Sequence, residues 1–254
     1  MLKDFIGGIK SYFKALGLIS KLKLWKFFIA PTFIALLTGG IIIVLSYSLS
    51  DNIGNWIASL WSFDFGAETV SALSTLIGGL FVLGIGIVLF KHIVMALSAP
   101  FMSPVSERIE QHLTGSNVKV DNSLKGMGKS LNRGIRINVR NLFMELLFVI
   151  PLLFMSIIPV IGLFTSFLIL LVQSYYAGFG NMDYTLERHF SYKESISFVQ
   201  KNRGIAYGNG LVYTLFLLIP IIGIIITLPL STVASTVETL RRLDQQGKIK
   251  LLDG

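Results

Sequence analysis

Ile158-Pro159-Val160-Ile161-Gly162 and Ile219-Pro220-Ile221-Ile222-Gly223 are two copies of one phrase, sixty-one positions apart. Proline removes a backbone donor and glycine loosens the backbone, so both residues interrupt helices. An interruption facing water carries polar residues, but these two lie in long apolar stretches with no charge beside them. Leu142 to Tyr176 has no lysine or arginine; Arg140 precedes it, and Arg188, Lys193, Lys201 and Arg203 follow. Ile205 to Leu240 has none either and runs into Arg241 and Arg242. Lysine and arginine collect on the cytoplasmic side of membrane proteins. Basic residues at both ends predict that each stretch leaves the membrane on the side it entered. Each is then a helical hairpin with the repeated phrase at its tip: Pro159 and Gly162 in the first, Pro220 and Gly223 in the second.

The seventeen residues from Leu142 to Ile158 make at most about 26 Å of helix. That is less than the roughly 30 Å hydrocarbon core, and Pro151 kinks the arm. The expected hairpins are therefore re-entrant, crossing about half the membrane, in preference to the alternative of full-depth hairpins with apolar turns at the far interface. Broken helices leave carbonyls unpaired, which is tolerated at that depth only inside protein or beside water. Homo-oligomeric assembly, with a polar path at its centre, is the expectation.

The composition agrees with a membrane setting. Of 254 residues, 53% are hydrophobic and only 14% charged, with a mean hydropathy of +0.70, where a soluble domain is nearer a quarter charged. There is no cysteine, which excludes disulfides, thiolate metal sites and cysteine nucleophiles. His92, His112 and His189 are too scattered for metal-ligand spacing. The expectation is no metal, no cofactor and no enzymatic activity, since no nucleophile–base set or phosphate loop is present. The net charge of +8 fits the positive-inside rule, or attraction of an anionic substrate or anionic membrane lipid.

The remaining segments follow from the same rules. Residues 1–26 place apolar residues at helical spacing opposite Lys3, Lys10, Lys14 and Lys21. They lack the core of a cleaved signal peptide and predict an amphipathic interfacial helix. Residues 27–49 are the first span. Residues 50–69, with Asp51, Asp64 and Glu68 but no lysine or arginine, are the external loop, with Trp56 and Trp61 at the interface. Residues 70–98 are the second span, where Gly78, Gly79, Gly84 and Gly86 serve close helix packing. A basic cytoplasmic connector (99–140) leads to the first hairpin (141–180), a second connector (181–204), the second hairpin (205–240) and a tail (241–254). The fold class is thus an all-α integral membrane protein with two full spans, two re-entrant hairpins and interfacial helices. It is a single membrane domain of the inner membrane, with both termini cytoplasmic. The basic 115–140 segment reads as an interfacial connector, with no nucleic-acid role.

Several runs resemble one family. They are Ala99-Pro100-Phe101 followed by Ser106-Glu107-Arg108-Ile109-Glu110, then Met182-Asp183-Tyr184-Thr185-Leu186-Glu187-Arg188-His189, Lys201-Asn202-Arg203-Gly204, and both Ile-Pro-x-Ile-Gly tips. From about Lys10 to Leu243 the chain resembles the CysZ sulfate permeases and the related etoposide-induced-protein-like membrane proteins. The resemblance implies homo-oligomers in the inner membrane and channel-like uptake of sulfate, or a related oxyanion, for sulfur assimilation. The family carries a Gly-Leu-Arg-type motif before the first span. Here Lys23-Leu24-Trp25-Lys26-Phe27 stands there, with lysine for glycine and tryptophan for arginine. Lys23 and Lys26 are the candidate substrate-binding cations, as point charges rather than two-pronged guanidinium groups.

Four further residues are candidates for the entrance or for structural ion pairs: Glu107, Arg108, Glu145 and Arg188. Glu107 is expected to pair with Arg108 or Arg133. Glu145, one turn inside an apolar arm, needs a partner or water and is expected to find Arg140 or Arg188. Asp183, Glu187 and Arg188 form a salt-bridge network in the second connector. The competing function is a non-transporting scaffold, lipid-handling or assembly protein, favoured by the altered motif and the basic N-terminus.

Overall fold

A computed structural model describes residues 1–59, 67–116, 123–156, 159–219 and 222–252. The positions of Trp61, Asp64, Lys119, Ile158 and Pro220 lie outside the described residues. The described residues form eight α-helices, in order α1 (Leu2–Lys21), α2 (Ile29–Ser59), α3 (Ala67–Thr114), α4 (Leu124–Met155), α5 (Pro159–Leu186), α6 (Tyr192–Lys201), α7 (Arg203–Leu217) and α8 (Ile222–Gln245). A short 3-10 turn, Leu24–Phe28, joins α1 to α2. No strand occurs among the described residues.

Among the described residues, four stretches are long and apolar enough to cross a membrane: Leu24–Trp56, Ile85–Thr114, Ile161–Leu186 and Gly223–Gln245. The protein is a multi-pass membrane protein. The second arm of each expected hairpin is among the four, whereas α7 has only 15 residues, about 22 Å of helix.

α2 and α3 lie side by side, and the expected loop at 50–69 is helical through Ser59 and again from Ala67. The polar residues there do not break the helix because their side chains find local acceptors. The hydroxyls of Ser50 and Ser59 donate to the carbonyls of Tyr47 and Trp56, and Thr75 Oγ1 donates to Asp51 Oδ1 at 3.1 Å. Gly54 permits the contact between the two helices, since a Cβ there would lie 2.6 Å from the Ser74 carbonyl oxygen.

α1 is amphipathic, but its buried side faces protein. Gly8, Ser11, Tyr12, Ala15 and Ile19 are buried against α7 and α8, while Leu2, Ile6, Phe13 and Leu16 stay exposed. Polar groups on this face are bonded. Tyr12 Oη contacts the Asn209 carbonyl and Ser231 Oγ, both at 2.7 Å; Asn181 Nδ2 donates to Asn209 Oδ1 at 2.9 Å; Asn209 Nδ2 donates to the Ser231 carbonyl at 3.0 Å. These bonds tie α1, α5, α7 and α8 together where unpaired groups would be costly.

The repeated phrase marks a helix break both times. α4 ends at Met155 and α5 opens on Pro159; α7 ends at Leu217 and α8 opens at Ile222. Proline suits a first helical position, where its missing donor has no partner to lose. The glycine serves the same purpose in both copies. A Cβ on Gly162 would lie 2.6 Å from the Ser156 carbonyl oxygen, and one on Gly223 would collide with that of Phe216. Both oxygens belong to the end of the preceding helix, and only glycine lets the next helix start so close. Gly223→Ala is expected to lower stability by about 1–3 kcal/mol through forced backbone movement. Gly128→Ala, where a Cβ meets nothing within 4 Å, is expected to be neutral or stabilising by about 0.5–1 kcal/mol. Thermal unfolding in detergent compares the two, and equal effects would refute the close-approach account.

Candidate functional site

Two buried charge clusters and one exposed basic edge contain the chemistry-bearing residues. The first cluster lies where α3, α4 and α5 meet. Glu145 of α4 is fully buried, and each carboxylate oxygen has a partner on α3: Lys91 Nζ at 2.7 Å from Oε1, and His92 Nε2 at 3.0 Å from Oε2. Lys91 Nζ also donates to the Gln173 carbonyl of α5 at 3.4 Å. The partners expected for Glu145 are engaged elsewhere. Arg140 donates to Asn141 Oδ1 at 3.0 Å and covers the Phe179 ring, and Arg188 holds Glu110. Lys91 and His92 are consecutive on α3, so one turn of α4 presents a single carboxylate to both.

Two cavities flank this cluster. Lys91 lines one of about 460 Å³, with Ile42, Ile87, Gln173, Thr214 and Leu217 among its walls. His92 lines the other, of about 210 Å³, with Ile93, Ile135, Asn138, Val139 and Leu142.

The second cluster is further along α3. Arg188, at the end of α5, donates through Nε and Nη2 to Glu110 Oε2 at 2.9 and 2.8 Å. Its Nη2 also reaches Ser106 Oγ at 2.6 Å, and Nη1 reaches the Tyr184 carbonyl at 2.9 Å. His189 Nε2 lies 2.9 Å from Glu110 Oε1. Beside this group, Arg133 of α4 forms a two-pronged pair with Asp183 at 3.0 and 2.9 Å and donates to Ser195 Oγ and the Phe190 carbonyl. Burial pulls the Arg133 guanidinium down, but the Asp183 carboxylate outweighs it and holds the group above its ordinary range. Glu187 accepts from the hydroxyls of Ser103 and Ser130. Burial pushes the Glu187 carboxyl up, against the Ser103 hydrogen bond. Asp183 and Arg188 form ion pairs with Arg133 of α4 and Glu110 of α3, and Glu187 bonds serine hydroxyls of the same two helices, rather than one another within the second connector. Glu107 is buried and accepts from Gln111 Nε2 at 3.0 Å, while its expected partner Arg133 is committed to Asp183.

The exposed edge joins the 3-10 turn to α3. Lys23 sits in the left-handed region, φ 52°, at the start of the turn, and is exposed. Lys26 Nζ lies 5.4 Å from the centroid of the Phe27 ring, and the Arg108 guanidinium lies 5.1 Å from the same centroid. The ring therefore brings two expected site residues together, a cation–π arrangement. Among the described residues neither cation makes an ion pair. Arg108 also lines an open cleft of about 390 Å³ with Leu22, Gln111 and His112. Such an edge can attract an anion and hold it by charge. Among the described residues no group of three His, Asp or Glu is placed to hold a metal ion.

Sequence reasoning missed Lys91 and His92. Lys91 falls inside the expected second span, 70–98, and is buried in the protein. The available signal was mutual: an isolated Lys-His pair in one apolar stretch, and an isolated glutamate in another.

Residues 11–227 match the family described as sulfate transporter CysZ/etoposide-induced protein 2.4. No curated protein matches the chain.

Proposed function

The chain belongs to the sulfate transporter CysZ/etoposide-induced protein 2.4 family, and from that premise we propose that it is a channel-like permease for sulfate or a related oxyanion. It is not an enzyme, and it works as a homo-oligomer in the inner membrane with both termini in the cytoplasm. The observation that carries this reading is the pair Lys26 and Arg108. Two cations with no ion pair among the described residues flank one aromatic ring at the mouth of a cleft, next to the stretch where the family has its Gly-Leu-Arg-type motif. Arg108 restores in space the guanidinium that the altered motif lacks, and a guanidinium fits an oxyanion in two-pronged fashion. Lys23 adds field at the same edge. In this reading α4–α5 and α7–α8 are re-entrant hairpins whose tips stop within the membrane, and their broken helix ends border the oxyanion path.

Reconstituted protein is expected to pass sulfate into vesicles. The double variant Lys26→Ala/Arg108→Ala is expected to slow that flux about tenfold at low salt, because focused charge raises local anion concentration by that order or more. Well-folded protein with no sulfate flux would overturn the reading and favour the scaffold or lipid-handling role, for which the exposed apolar edge of α1 is the supporting feature.

A further inference from the structure

The cluster Lys91–Glu145–His92 contains a vacancy for one proton. His92 Nε2 is 3.0 Å from an oxygen of Glu145. That carboxylate also holds the Lys91 ammonium, so Nε2 carries the hydrogen and donates it. In the neutral ring Nδ1 is then an acceptor. Nδ1 is buried and has no hydrogen-bond partner.

The facing group is also an acceptor. Asn138 of α4 lies against the His92 ring, and both line the same cavity of about 210 Å³. Asn138 Nδ2 donates to the Gly134 carbonyl at 2.9 Å, which fixes the orientation of the amide and directs Oδ1 away from that bond. Asn138 Oδ1 is likewise buried without a partner. Gly180 of α5 is beside it, since a Cβ there would be 3.3 Å from Oδ1, and glycine supplies no side-chain donor. Two buried acceptors, one on each of these neighbouring side chains, are both left unsatisfied, at a cost to each.

We propose that His92 Nδ1 is a proton-binding site, with Asn138 Oδ1 as the acceptor of the resulting N–H and Glu145 as the counter-charge. A single proton arriving from water converts Nδ1 from acceptor to donor and satisfies both orphan atoms at once. No bond breaks: Nε2 keeps its hydrogen on Glu145, and the cluster changes from net neutral to one positive charge. Besides Asn138, the groups that bear on the ring are Glu145 on α4 and Lys91 on its own helix, and Tyr176 on α5 feels the charges of Glu145 and Arg140. Among these only Glu145 is an anion, and its two oxygens are shared between two cations once His92 is charged. The proton thus weakens the hold on Lys91, whose ammonium borders the larger cavity. This gives the chain a means of linking proton binding to the charge of that cavity, and the site stands independently of the oxyanion reading.

The test is the pH titration of histidine nitrogens by 15N NMR, on the full chain in lipid nanodiscs. With three histidines in the sequence, the His92 signals are those missing from His92→Gln. The expected result is an Nδ1 signal that moves from unprotonated to protonated between about pH 8 and pH 5, the range in which imidazole serves as a switch. Asn138→Leu, which removes the acceptor, is expected to move the transition to lower pH, and Asn138→Asp to move it to higher pH. An Nδ1 that stays unprotonated over the whole range, bridged to Asn138 by water, would overturn the proposal. So would a transition indifferent to both substitutions at position 138. Neither result depends on whether the protein carries sulfate.

Discussion

Glu145→Ala is expected to lower the stability of the protein by about 3–5 kcal/mol, the usual cost of removing one partner from a buried ion pair. Glu145 is fully buried, and it is the sole carboxylate holding Lys91 and His92 among the described residues. Without it an ammonium remains in an apolar region with one carbonyl contact at 3.4 Å. A compensating change separates this effect from the loss of packing. Lys91→Met removes the stranded charge at similar volume, and buried pairs replaced as a unit by apolar residues are often near neutral. The double variant Lys91→Met/Glu145→Leu is therefore expected to be more stable than Glu145→Ala, with a coupling of about 1–3 kcal/mol between the two positions. Denaturation in detergent by heat or by denaturant reads all of these. Additive effects of under about 1 kcal/mol each would mean that water or lipid headgroups reach the pair and that it is not held by burial.

The sequence pattern that located the helix breaks is proline and glycine inside long charge-free stretches. The absence of lysine and arginine from Leu142 to Tyr176 and from Ile205 to Leu240 located both helix breaks at the repeated phrase, and α5 and α8 begin there. It worked less well for single residues. A lone lysine near the end of an apolar span reads as an end marker, whereas Glu145 on α4 makes Lys91 an interior residue. Glu145 was visible as a group needing a partner, because a carboxylate in an apolar arm is expensive. Which cation meets it depends on how α3 crosses α4, and sequence spacing within one helix carries no information about that. The bounds of the loop expected at 50–69 overlap helix at both ends, through Ser59 and from Ala67, for a related reason. Polar residues mark exposure to water, but they stop a helix only when proline, glycine or a competing side-chain bond does so. At Ser50 and Ser59 the hydroxyls bond back within their own helix. At the exposed edge the motif position suggested Lys23 and Lys26, yet the guanidinium beside Phe27 comes from Arg108, some eighty residues away in sequence.

Arg188→Lys is expected to destabilise nearly as much as Arg188→Ala, which is the unusual part of the second large effect. The Arg188 guanidinium uses Nε, Nη1 and Nη2 to bond Glu110, the Tyr184 carbonyl and Ser106 Oγ, all at 2.9 Å or less. These acceptors lie on α3 and α5, so one planar group fixes the crossing of the two helices next to the Arg133–Asp183 pair. Lysine keeps the charge but offers three donors from one point, and it cannot meet acceptors arranged around a plane. Glu110 is only 5% exposed at its side chain, so in either variant it loses its two-pronged partner while remaining buried, with the His189 ring nitrogen at 2.9 Å as its remaining neighbour. The expected cost is about 3–5 kcal/mol for alanine, and lysine should recover no more than about 1 kcal/mol of it, the scale of an ion pair without fixed geometry. The discriminating readout is the pair of unfolding curves for Arg188→Lys and Arg188→Ala against the parent. If lysine restored the parental stability, the helix crossing would depend on charge alone and the planar geometry would carry no weight.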